Sequence, residues 1–97
     1  MSQAAKSRVV KIVNPHGLHA RPAYRLAELA RQFDATVTLR SGDRSANMSS
    51  VLDMLAMCVE FGTELSLWAV GADADAALAA VVAFFESDGE PETSATE

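Results

Sequence analysis

The chain has a single cysteine, Cys58, which excludes an internal disulfide and fits a reducing compartment. It has no long apolar run. The longest, Ala76 to Phe85, falls well short of the about 20 residues that cross a bilayer. The N-terminus lacks the apolar core of a signal peptide, because Lys6, Arg8 and Lys11 interrupt it. A cytoplasmic protein with no membrane insertion is expected. The chain also lacks the basic excess of a general nucleic-acid binder. Its net charge is −5, yet five of the thirteen acids (Glu86, Asp88, Glu90, Glu92 and Glu97) crowd the C-terminus, where there is no Lys or Arg. The remaining eight acids meet eight bases, so the body before the tail is balanced. No internal repeat is visible.

What is present fits one small domain. Ninety-seven residues, 49% of them apolar, suffice for a single core but leave no room for an elaborate substrate cleft. That favours a small shuttle or binding module over a self-contained catalyst. Residues 1–7 read as a flexible leader, 8–86 as the folded domain and 87–97 as a disordered acidic tail rich in Gly, Pro, Ser, Thr and Glu.

The periodicity predicts β-α-β-β-α-β-α, an α+β fold. Arg8 to Val13 is rich in β-branched residues and reads as a strand. Asn14-Pro15-His16-Gly17 forces a turn. From Ala20 to Phe33 the residues Ala23, Leu26, Ala27, Ala30 and Phe33 recur at helical spacing, while Arg25, Glu28 and Arg31 face elsewhere. Pro22 is tolerated in a first turn. Thr36–Arg40 and Arg44–Met48 form a hairpin about Ser41-Gly42-Asp43, with Val37 and Leu39 inward. Ser49 or Ser50 caps a short helix through about Glu60, which Gly62 ends. Glu64–Val70 alternates, with Leu65, Leu67 and Ala69 on one face and Trp68 on the other. Asp73 or Asp75 opens a last helix, with Ala74, Ala77, Leu78, Val81, Val82 and Phe85 on one stripe. Each helix has one apolar stripe, so all three cover one face of a four-stranded sheet and leave the other open to water.

His19 is the residue on which function turns. It ends a turn and begins a helix, where unpaired backbone N–H groups can hold an anion. The N–H groups of Ala20 and Arg21 can point at a phosphoryl group on the imidazole. The helix dipole favours negative charge there by roughly 0.3–1 kcal/mol. Arg21 adds a guanidinium fork that matches phosphate oxygens. Gly17 frees the turn and lets a bulky partner approach. Read without its neighbours, His19 would be an ordinary turn residue. His16, three residues earlier, makes a spacing that can bind metal, but no acidic or thiol third ligand is near, so neither metal nor cofactor is expected. Cys58 reads as a core residue.

The string Gly17-Leu18-His19-Ala20-Arg21-Pro22-Ala23 resembles the active-site motif of HPr, the histidine-containing phosphocarrier of the bacterial phosphoenolpyruvate-dependent phosphotransferase system (PTS). The resemblance runs from about Val9 to Phe85. It includes Asn47-Met48-Ser49-Ser50-Val51-Leu52 and Gly71-Ala72-Asp73. It implies an HPr-like open-faced β-sandwich of four antiparallel strands and three helices. It implies that His19 is phosphorylated through Nδ1 by enzyme I and passes the phosphoryl group to enzyme II A domains for sugar uptake. Arg21 would neutralise its charge in transfer. The chain would then be a phosphoryl-transfer intermediate and not a catalyst by itself.

Ser50 matches the position that an HPr serine kinase/phosphatase modifies in many bacteria; from physics alone it is a plain N-cap. Family members often have lysine where Ser49 stands and a small residue where Asp53 stands, and both differences make this surface less basic. Val51, Met54, Leu55 and Cys58 form one stripe of the short helix, with Leu52 outside it. By resemblance, Leu52 and Leu55 would dock enzyme I beside Val51; Leu55 reads equally as core, and Leu52 as interface. Three readings compete: a phosphocarrier, a regulatory binding module switched by phosphorylation at His19 or Ser50 for regulatory proteins, and a plain α/β adaptor that leaves the His19–Arg21 arrangement unexplained. A monomer is expected.

Overall fold

A computed structural model describes residues 5–13 and 17–87. Its elements are β1 (Lys6–Lys11), α1 (Ala20–Ala30), β2 (Thr36–Ser41), β3 (Arg44–Asn47), α2 (Val51–Ala56), β4 (Glu64–Val70) and α3 (Ala74–Glu86). The expected order holds. The strands form one sheet in the order β1-β4-β2-β3, with every pair antiparallel.

Alternation along the strands decides which face is covered. Leu65, Leu67 and Ala69 of β4 are buried beside Val37 and Leu39 of β2 and Val10 of β1. Trp68, between Leu67 and Ala69, points to the other face and is 42% exposed, with Ser7 and Thr38 as its cross-strand partners. α3 packs on β1, β4 and β2; α1 packs on α2 and α3; α2 leans on β3. The core closes on Leu26, Leu39, Met48, Met54, Leu65, Leu67 and Leu78, all fully buried. Each such side chain contributes about 1.5–3 kcal/mol through burial. Phe84 joins Phe85 in the core as an edge-to-face pair, which the predicted stripe of α3 did not include.

Several boundaries differ from expectation, for local reasons. The first strand runs over Lys6–Lys11, not Arg8–Val13, because Lys6 and Ser7 already pair with Ala69 and Trp68. α1 ends at Ala30, and Gln32 and Phe33 close a final turn on the carbonyls of Leu29 and Ala30. α2 stops at Ala56, well before Glu60. Its end is marked by Cys58 at φ 55°, a left-handed conformation, and not by Gly62. The helical stripe therefore breaks before Cys58, and that side chain is exposed, contrary to the core reading. Asp73 does precede α3, but its carboxylate accepts from the Asp34 N–H at 2.7 Å and does not cap its own helix. The remainder of the predicted leader and acidic tail, residues 1–4 and 88–97, falls outside the described residues.

Candidate functional site

His19 is the N-cap of α1, with extended backbone (φ −102°, ψ −168°). Its carbonyl accepts the Ala23 N–H at 3.0 Å, the first bond of the helix. Its side chain makes no capping hydrogen bond. Pro22 occupies the third helical position and has no N–H. The backbone donors of this first turn therefore come from Ala20 and Arg21, the pair expected to face a phosphoryl group. α1 is eleven residues long, and its dipole adds to theirs. His19 is half-buried, whereas Ala20 and Arg21 are exposed.

The turn before His19 is bolted to a distant part of the chain. Leu18 is buried, and its N–H donates to the Val59 carbonyl at 3.0 Å. Gly17 is buried too, at φ +71°, where a Cβ would lie 2.5 Å from the Val59 carbonyl oxygen and 2.9 Å from Glu60 Cα. Gly17 thus serves a close backbone approach, in addition to the turn freedom read from sequence. His16, the other histidine of the motif, lies outside the described residues.

The second part of the site is the start of α2. Ser50 is its N-cap, and its Oγ accepts the Asp53 N–H at 3.2 Å. Leu52 projects into solvent, 79% exposed, while Val51 and Leu55 are partly buried against the core and show only part of their surface. Met54 anchors the helix beneath. Two exposed aromatics, Tyr24 and Phe61, were not singled out from sequence. Tyr24 falls off the Ala23–Leu26–Ala27–Ala30 stripe, one turn beyond Arg21, and that offset was the available signal.

The family described as the PTS HPr component phosphorylation site matches residues 6–87. The chain belongs to the HPr family. It is similar to phosphocarrier protein NPr of Shewanella violacea, 44% identical over 80 residues that cover 82% of this chain and 88% of that protein. It is also similar to phosphocarrier protein HPr of Mycoplasma capricolum, 39% identical over 70 residues, covering 72% of this chain and 79% of the relative. Among solved structures, HPr-C-His from Thermoanaerobacter tengcongensis superimposes with a TM-score of 0.83 at 30% identity, covering 87% of this chain and 94% of the other. The α+β sandwich is thus the HPr fold, and the chain is an HPr/NPr-type phosphocarrier of the PTS. PTS enzyme I and enzyme IIA proteins are the partners of that family in general. No helix among the described residues is long and apolar enough to cross a membrane.

Proposed function

We propose that His19 is the residue that carries the phosphoryl group, taking it from enzyme I and handing it to an enzyme II A domain in the cytoplasm. The carrying observation is the placement of His19 at the N-cap of an eleven-residue helix whose first-turn donors are Ala20 and Arg21. An imidazole nitrogen attacks phosphorus, the bond from phosphorus to the donor breaks, and the new nitrogen–phosphorus bond is broken in turn by the acceptor. By resemblance to HPr, that nitrogen would be Nδ1. The backbone N–H groups and the Arg21 guanidinium meet the equatorial oxygens, where charge is spread during transfer. Leu52, with the exposed parts of Val51 and Leu55, supplies the apolar contact for the partner.

The test is mass spectrometry after incubation with phosphoenolpyruvate and enzyme I. One acid-labile phosphate on His19 is expected. Unchanged labelling of His19→Ala would overturn the assignment.

A second reading, a regulatory module switched at Ser50, is favoured by one observation. The Ser50 hydroxyl already holds the Asp53 N–H, so a phosphate there would take over or break the cap of α2 and add about −1.5 to −2 of charge beside the docking leucine. Incubation with an HPr serine kinase and ATP checks it. A chain that stays unmodified at Ser50 sets this reading aside.

A further inference from the structure

The two halves of the candidate site sit on different helices. His19 and Arg21 are on α1, whereas Leu52 and Leu55 are on α2. A partner that meets both needs them at a fixed separation. α2 has six residues, far below the length at which a helix holds itself in water. Its placement must come from tertiary bonds.

The peptide group joining Ser49 to Ser50 is held at both ends. Its N–H donates to the Asn47 carbonyl at 2.9 Å. Its carbonyl accepts from Arg31 Nη2, also at 2.9 Å. Arg31 is the C-cap of α1, so this second bond runs directly from the helix of His19 to the residue before the cap of α2. Two more bonds brace the same turn. The Ser49 N–H and Oγ both donate to Asn47 Oδ1, at 2.9 and 2.8 Å. Just upstream, Met48 is fully buried and its N–H donates to the Val37 carbonyl. With Met48 anchored and the Ser49–Ser50 peptide plane fixed, the Ser50 backbone is set, and with it the direction in which α2 departs.

We propose that Arg31 is a positioning residue for phosphoryl transfer, a latch that fixes the start of α2 relative to His19. This rests on the carrier reading above. Arg31 acts through the Ser49 carbonyl and not on the phosphoryl group. Its loss should therefore loosen partner docking and leave the chemical step alone.

The experiment compares the full chain with Arg31→Met, which keeps the stem and removes the donors, and Arg31→Lys, which restores a donor. Two quantities are read: transfer from phosphoenolpyruvate and enzyme I, split into KM and kcat, and amide hydrogen exchange at Asp53, whose N–H reports the α2 cap. For Arg31→Met, KM should rise about three- to tenfold, the size of one lost hydrogen bond, with kcat unchanged and Asp53 exchange faster by a similar factor. Arg31→Lys should recover part of both. A raised KM with unchanged exchange would overturn the latch, since it makes Arg31 a direct partner contact. Unchanged KM in a chain that does accept phosphate would overturn it as well. If the unaltered chain takes no phosphate at all, the carrier reading fails, and Asp53 exchange alone decides whether Arg31 holds α2.

Discussion

Gly17 lies against the backbone of Val59, so close that a methyl group on it would sit 2.5 Å from the Val59 carbonyl oxygen. The obstacle is main chain, which cannot swing aside as a side chain could. The φ of +71° penalises any L residue as well. Gly17→Ala should destabilise the fold by about 1–3 kcal/mol and slow phosphoryl transfer to His19, because the turn must move. Urea unfolding and a labelling time course check the two effects.

Cys58 is the one non-glycine residue with positive φ among the described residues, and its side chain is exposed. Removing that side chain forfeits no core packing. Cys58→Gly should hold or raise stability, by up to about 1 kcal/mol. Cys58→Val puts a β-branched side chain in a left-handed conformation and should cost about 1–3 kcal/mol. Paired thermal melts of the two variants separate these outcomes.

Ser50 and Leu52 are close in sequence yet opposite in role. Ser50→Ala removes the acceptor for the Asp53 N–H and should cost about 0.5–2 kcal/mol. Leu52→Ala touches only solvent-facing surface, so stability should stay within about 0.5 kcal/mol while the KM for enzyme I rises. Denaturant curves beside transfer kinetics would show the split, and a large stability loss in Leu52→Ala would count against its place at an interface.

Leu67 and Trp68 give the same contrast across the sheet. Leu67→Ala opens a cavity in the core and should cost about 2–5 kcal/mol. Trp68→Thr, on the uncovered face, should cost under about 1 kcal/mol despite removing the larger side chain. Equal losses would mean that the open face is not open.

Much of the fold is legible in the chain, because it depends on periodicity. The alternation of Leu65, Leu67 and Ala69 against Trp68 is enough to set both the limits and the faces of β4. The position of His19 follows from Gly17 before it and Pro22 after it, since one marks a turn and the other a first helical turn. Local signals mislead where distant contacts override them. Gly62 looks like the end of α2, yet the chain leaves the helix at Cys58, a residue whose composition gives no sign of a left-handed backbone. The same break exposes Cys58, which helical spacing places inside. β1 begins at Lys6 because β4 offers it Ala69, and no pattern within residues 6–11 reveals that partner. The bond from Arg31 to Ser49 likewise joins two residues whose spacing suggests nothing.

The edge strand β1 sets the order of assembly. β1 pairs with β4 alone, Lys6 with Ala69 and Lys11 with Glu64, so the first strand of the chain waits for almost the last element. Hairpin β2–β3 can close early from neighbouring residues, whereas the β1–β4 seam closes a loop that contains both helices of the candidate site. A chain emerging from the ribosome therefore cannot build this sheet until β4 has been made. The turn before His19 is tied to Val59, just ahead of β4, so the candidate site is complete only once the chain has been made past that residue.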